Sequence, residues 1–254
     1  MTQRVSVVTG AAKGIGLAIA EALLAVGDRV VGLDVDAAGL AAACTQLGTQ
    51  FQGLEADVGD VAEIDRVFGQ AVAEHGRIDV LVNNAGVTRR APLLELTEDD
   101  WDRITRVNAK GAFFCMQRAA RQMTEQGSGR IINIASIAGK GYHASSNAIY
   151  VGTKGALIAM TRYAAWHLGP QGITVNAVCP GVTRTEIFQG IIEKDAANQG
   201  VSADEVLEKV LSTVPIRRGN TTDEVAAMVV YLASDAARNV TGQAWNIDGG
   251  LVTS

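Results

Sequence analysis

The chain has 254 residues, with 28 glycines and 4 prolines, and its formal charge of −5 comes from 27 acidic and 22 basic side chains. That length holds one large α/β domain or two small ones, and the composition is that of an ordinary soluble globular protein, which excludes a disordered chain. An acidic balance without a basic run gives no electrostatic support to nucleic-acid binding, and no stretch supplies the roughly 18 consecutive apolar residues of a membrane span.

Strand-like runs recur at residues 4–10 (RVSVVTG), 29–34 (RVVGLD), 51–57 (FQGLEAD), 78–86 (IDVLVNNAG), 129–136 (GRIINIAS) and 172–181 (GITVNAVCPG), with a short last one at 243–248 (QAWNID). Helix-like stretches at 15–26, 60–75, 99–123 and 149–168 lie between them, and 221–234 opens on a Thr-x-x-Glu capping box at Thr221. This alternation predicts repeated βαβ units. The expected fold is α/β: one domain over residues 1–254, a Rossmann-like doubly wound parallel sheet of about seven strands covered on both faces. Residues 184–214 break the rhythm. Their charge and the internal Asn-Gln-Gly turn signal predict two short helices, an excursion placed to cover a ligand crevice.

Between the first strand and first helix stand Gly10, Gly14 and Gly16, spaced Gly-x-x-x-Gly-x-Gly. Missing side chains there permit a tight turn and let backbone and helix N-terminus approach a pyrophosphate. Lys13 and Ile15 belong to the same turn. Asp34 ends the second strand, 18 residues after Gly16. A carboxylate at that offset suits ribose hydroxyls and repels a 2′-phosphate, which favours NAD; Lys13 pulls towards NADP. Asp57, followed by Val58, is expected to accept from an adenine amino group, and Asn83, Asn84, Ala85 and Gly86 to shape the channel beside the adenosine.

Tyr150 and Lys154 are i and i+4 on a helix and share a face. A tyrosine is a poor base near neutrality, and a neighbouring ammonium is expected to favour its phenolate, making Tyr150 a proton-exchanging group that Lys154 tunes. Ser136, at the end of its strand, could hold a substrate oxygen beside Tyr150. Ser145 and Ser146 in the intervening loop are rival donors.

Taken together, TGAAKGIG, NNAG, RVNAKGAF, NIAS, YVGTK, CPG and the terminal TGQAWNIDGG resemble the classical short-chain dehydrogenase/reductase family over essentially the whole chain. The resemblance implies a tetrad of Asn108, Ser136, Tyr150 and Lys154, with Asn108 at a helix irregularity next to a proton-relay water. It also implies cofactor contacts from Pro180, Gly181, Val182 and Thr185, and a homotetramer built on the helices at 99–123 and 149–168. One departure is the interval from Ser136 to Tyr150, 14 positions where the family usually has one fewer.

These readings converge on an NAD-dependent oxidoreductase without a metal, exchanging a secondary alcohol and a ketone. Lys140, His143, Ser145, Asn147 and Arg184 offer polar groups for a polyol, sugar or vicinal hydroxy-ketone; Tyr142, Trp101, Ile187 and Phe188 offer apolar walls. A 3-oxoacyl-thioester reductase using NADPH is the nearest rival, kept open by Lys13, Arg89 and Arg90 as a positive entrance patch. A nucleotide-binding scaffold or sensor is the non-enzyme alternative. Three widely spaced cysteines, Cys44, Cys115 and Cys179, match no metal-ligand pattern, and the N-terminus lacks the long apolar region of a signal peptide, so a reducing cytoplasm is the expected location.

Overall fold

The computed structural model describes residues 3–142 and 146–253. Along them run β1 (Val5–Thr9), α1 (Gly14–Ala25), β2 (Arg29–Asp34), α2 (Ala37–Leu47), β3 (Phe51–Glu55), α3 (Val61–His75), β4 (Val80–Asn83), α4 (Glu98–Thr105) and α5 (Ala112–Gln126). There follow β5 (Gly129–Ile134), α6 (Ala148–Leu168), β6 (Ile173–Pro180), α7 (Glu186–Gln199), α8 (Ala203–Ser212), α9 (Thr222–Ala233) and β7 (Ala244–Ile247). Among the described residues the strands make one seven-stranded sheet in the order β3-β2-β1-β4-β5-β6-β7, every neighbouring pair parallel.

The apolar runs of the strands have a direct cause. Val5 and Val7 of β1, Val31 and Leu33 of β2 and Leu81 of β4 pack on one face with Ile64, Phe68, Cys115, Met116 and Met123 of α3 and α5. Their chain neighbours Val8, Val30, Val80 and Val82 pack on the other with Ile19, Leu23, Val225, Val229 and Leu232 of α1 and α9. A strand buried on both faces reads as continuously apolar, because its period-two alternation is between two cores and not between core and water.

Strand order reverses between β1 and β4, which opens a crevice beyond the carboxyl ends of these strands. The glycine turn after β1 sits at that switch point. Helix starts are set by side chains: Thr221 and Glu224 form the reciprocal capping box at α9, as the sequence predicts, and Asn147 caps α6. Residues 184–214 fold as α7 and α8, joined through Gly200 at φ 68° and packed on each other through Ile192, Ala196 and Val206.

The helix expected over 99–123 is interrupted. Residues Arg106–Gly111 form a π-helical stretch between α4 and α5. The irregularity expected at Asn108 is thus present, and at its end the helix runs close against the β3–α3 connection: a Cβ on Gly111 would lie 2.4 Å from the carbonyl oxygen of Val58.

Candidate active site

The glycine turn is locked from behind and open in front. Gly10 has φ 67° and Gly14 φ 59°, both in the region that favours glycine. A Cβ on Gly16 would lie 1.9 Å from the carbonyl oxygen of Gly10, so α1 packs directly on the strand that precedes it. Asn84 holds the turn from the β4 side, its side-chain amide donating to the carbonyls of Thr9 and Gly10 at 3.0 Å each, while the Thr9 hydroxyl accepts from the backbone nitrogens of Asn84 and Ala85. Lys13 stands at the N-cap of α1 without a side-chain capping bond, and the first turn carries no acidic residue, which leaves its N–H groups suited to an anion. The methyl of Thr185, cap of α7, is 3.9 Å from where a Gly14 Cβ would stand. The α7 start therefore overlooks the turn.

Asp34 faces the same turn. One carboxylate oxygen accepts from the backbone nitrogen of Ala12 and the other from that of Asp36, both at 3.0 Å. It is thereby fixed beside the glycines instead of pointing into solvent.

Farther along the crevice, Tyr150 and Lys154 rise from the first turns of α6. Lys154 is buried; its Nζ donates to the carbonyl of Ile134 at 2.8 Å and stands 5.7 Å from the Tyr150 ring centroid. The phenol of Tyr150 faces the Ser136 side chain, whose hydroxyl accepts from the nitrogen of Ala138 at 3.1 Å. Asn108 projects from the π-helical stretch and grips Val87: its Oδ1 accepts from the Val87 nitrogen at 2.8 Å and its Nδ2 donates to the Val87 carbonyl at 2.9 Å. Gly86 closes the group. A Cβ there would make ordinary contact with Asn108 Oδ1 at 3.4 Å and Lys154 Nζ at 3.5 Å, which places Gly86 directly beside both.

A family model described as "Enoyl-(Acyl carrier protein) reductase" matches residues 10–252. Sorbitol dehydrogenase of Cereibacter sphaeroides is 36% identical over 248 residues, covering 97% of this chain and 96% of that protein. The 3-oxoacyl-[acyl-carrier-protein] reductase FabG of Salmonella typhimurium is 35% identical over 248 residues, covering 98% and 97%. This chain belongs to the short-chain dehydrogenase/reductase family. A solved structure of an actinorhodin polyketide ketoreductase variant with NADPH superposes with a TM-score of 0.93 at 36% identity, over 98% of this chain and 97% of that one.

Short-chain dehydrogenases/reductases are oxidoreductases that bind a nicotinamide cofactor, and the locked turn, the uncapped α1 start and the Gly86 channel fit such a group. Other residues expected around it take defined places. Ile15 is half-buried in the α1 core, and Val58 lends its carbonyl to the contact with Gly111. Pro180 ends β6, Gly181 is pressed against Asp248, with 2.8 Å from its would-be Cβ to the aspartate Cβ, and the Val182 carbonyl accepts from Asn220. Asp57 lies at the crevice with its carboxylate engaged, one oxygen by Arg106 at 2.7 Å and the other by the Gly59 nitrogen at 2.8 Å.

Three expectations need correction. Asn83 does not shape the channel: it is buried, its Nδ2 donating to Asn133 at 2.9 Å and to the Ala112 carbonyl at 3.0 Å while its Oδ1 is left without a hydrogen-bond partner. Trp101 walls no pocket; it is 57% exposed on α4. Tyr150 in the protein alone is not shifted towards phenolate. Burial pushes its pKa up and the Ser136 hydroxyl opposes that, while Lys154 donates to the Ile134 carbonyl. His143 and Ser145 lie outside the described residues, as does the Ile187 side chain.

The polar rim is also reassigned. Asn147 is buried, Lys140 donates to the Ala244 carbonyl, and Ser146 pairs with Thr88 at 2.6 Å, which removes it as a rival to Ser136. Arg184 remains exposed, Tyr142 packs against the cluster of Ala135, Ile137 and Leu157, and Phe188 packs on the α7–α8 cluster. Arg89 turns to Asp100 at 3.3 Å and Arg90 to Asp195 of α7 at 2.7 Å. Thr9 and Thr153 were missed. Thr9 is the hydroxyl that ends β1 before Gly10, and Thr153 adjoins Lys154 in YVGTK.

Burial also moves Lys154, pushing its pKa down to about 8. In the window between that value and the ordinary lysine value, the unfolded chain binds the proton that the folded chain has lost, so folding stability from this group rises with pH. Denaturant unfolding on both sides of the window will show that rise in the wild type and a shallower one in Lys154→Met. Equal slopes would mean that the ammonium is not desolvated.

Proposed function

We propose that the protein is an NAD-dependent short-chain dehydrogenase/reductase that interconverts a secondary alcohol and a ketone on a small polyol, sugar or vicinal hydroxy-ketone. The observation that carries the chemistry is the half-buried Tyr150 phenol beside the buried Ser136, with the buried Lys154 ammonium on the same helix face, 5.7 Å from the ring centroid. In this reading the Tyr150 hydroxyl gives a proton to the substrate oxygen in reduction and takes one in oxidation, while Ser136 holds that oxygen and stabilises the charge that develops on it. Lys154 lowers the cost of the phenolate and reaches the cofactor ribose. Asn108 holds the relay water that reconnects Lys154 with solvent. The nicotinamide ring, when bound, supplies or accepts the hydride.

Gly10, Lys13, Gly14, Ile15 and Gly16 would cradle the pyrophosphate, joined by Thr185 from α7. Asp34 would accept from the adenosine ribose hydroxyls, and its charge beside the turn supports NAD over NADP. Asp57, Val58, Asn84, Ala85 and Gly86 would line the adenosine side, with Pro180, Gly181 and Val182 at the nicotinamide end. Residues 184–214 would cover the substrate as part of a single domain spanning the chain.

The substrate class is supported by the likeness to sorbitol dehydrogenase and by the state of the two arginines. The rival 3-oxoacyl-thioester reading draws on the likeness to FabG and on NADPH in the structural neighbour, and it calls for a positive surface for an acidic carrier. Arg89 and Arg90 each already face a carboxylate, which weakens that surface. Initial rates with NAD and NADP over polyols, sugars, vicinal hydroxy-ketones and a 3-oxoacyl thioester will be highest for a polyhydroxylated substrate with NAD. Dominant thioester reduction with NADPH would overturn the assignment.

A homotetramer is part of the proposal. Phe113 of α5 and Tyr163 of α6 expose apolar surface at an open groove of about 880 Å³ lined also by Met116, Met160 and Ala164, and Trp166 of α6 is exposed at 82%. A second copy of the same helix pair would cover that face. The acidic chain and its free cysteines fit a cytoplasmic location.

A further inference from the structure

Asn147 belongs to no expected set of proton-transfer groups, yet it is 3% exposed and uses both ends of its amide. Its Oδ1 accepts from the backbone nitrogen of Tyr150 at 2.8 Å, and its Nδ2 donates to the Arg89 carbonyl at 2.5 Å and towards the Thr88 hydroxyl at 3.4 Å. Tyr150 is the third residue of α6, so the capping bond falls on the very residue that carries the phenol.

These bonds close a circuit. From Val87 the chain is gripped by Asn108 at both backbone groups. Two residues on, the Arg89 carbonyl is held by Asn147, and Asn147 holds the nitrogen of Tyr150. The Tyr150 carbonyl accepts from the Thr153 hydroxyl at 2.9 Å, and that hydroxyl accepts from the Asn108 amide at 3.3 Å. Asn108 and Tyr150 stand on different helices, and the segment after β4 that bridges them is fastened at each end by an asparagine.

We propose that Asn147 is a positioning residue for Tyr150: it fastens the first turn of α6 to the Val87–Arg89 backbone and so sets the phenol against Ser136 and the Asn108 shoulder. Lys154 lies a full turn deeper, outside the capped turn and anchored separately on Ile134. Loss of the cap therefore loosens the tyrosine before the lysine. The inference rests on the reading of Tyr150 as the proton-exchanging group.

The test is a cycle of four proteins in steady-state kinetics: wild type, Asn147→Ala, Tyr150→Phe and the double variant, with Asn147→Ser as the conservative replacement. Asn147→Ala will lower kcat by about 10- to 100-fold, with cofactor dissociation constant unchanged within about 2-fold, because the turn at β1 is untouched. In the Tyr150→Phe background the same change will cost little more, since groups acting as a unit are not additive. Asn147→Ser keeps a capping oxygen and will recover most of the lost kcat. An equal loss in both backgrounds, a parallel loss of cofactor binding, or no rescue by serine would overturn the positioning role. If Asn147→Ala does not fold, the serine variant with and without Tyr150→Phe decides: near-wild-type kcat with tyrosine present supports the role, and a kcat deficit that persists equally without it overturns it. Near-normal turnover by Tyr150→Phe alone would remove the proton-exchange reading first, and this inference with it.

Discussion

Tyr150→Phe will fold, bind cofactor and turn over about 10³-fold more slowly than the wild type. The phenylalanine ring fills the same half-buried space, and Ser136 keeps its bond from the Ala138 nitrogen. What disappears is the hydroxyl that the proposed function assigns to proton exchange with the substrate oxygen. A loss of that size corresponds to about 4 kcal/mol of transition-state stabilisation, far above the effect of a neutral change in packing. Single-turnover rates together with cofactor titration and a thermal melt separate the chemical loss from a folding defect. Turnover within a few-fold of wild type would exclude Tyr150 as the donor.

Asp34→Ala will shift cofactor choice. In the protein the Asp34 carboxylate lies beside the glycine turn, held by the nitrogens of Ala12 and Asp36. A 2′-phosphate brought there meets a fixed like charge, and such juxtapositions cost several kcal/mol. With the carboxylate removed, Lys13, loosely paired with Asp36 at 3.9 Å, becomes the dominant charge near the turn. The ratio of kcat/KM for NAD over NADP is expected to fall by about 10²-fold, or about 2.7 kcal/mol. Part of that fall will come from NAD itself, because the Ala12 nitrogen loses its acceptor. An unchanged ratio would mean that Asp34 serves only to brace the turn.

The sheet and the cofactor edge could be read from the residues because local rules and tertiary structure agree there. Val5 to Thr9 is apolar with a glycine following, Thr221 and Glu224 stand at capping-box spacing, and Tyr150 and Lys154 are a helical turn apart. Where the outcome depended on distant partners, the residues were silent. The helix irregularity at RVNAKG is expected only through the family resemblance, because its residue types and spacing alone read as regular helix. Asn147 reads as a polar loop residue until Arg89 is brought beside it. Arg90 looks like a free cation until Asp195, 105 positions away, closes on it. The direction of the Tyr150 shift in the protein alone has a related origin: an ammonium four residues away is visible in the sequence, whereas the desolvation of the phenol is not.

The irregular stretch between α4 and α5 acts as a phase shifter. An ordinary helix advances about 100° per residue, so the widened turn rotates all that follows by roughly one residue's worth of arc. Asn108 can consequently look towards Val87 while Cys115, Met116 and Ala119 look into the sheet. Excising one residue from Arg106–Gly111 would restore regular winding and swing that apolar stripe out of register with the strands beneath. Two neighbouring helices thus serve opposite directions, one inward amide and one core-facing seam, because a single local overhang separates their clocks.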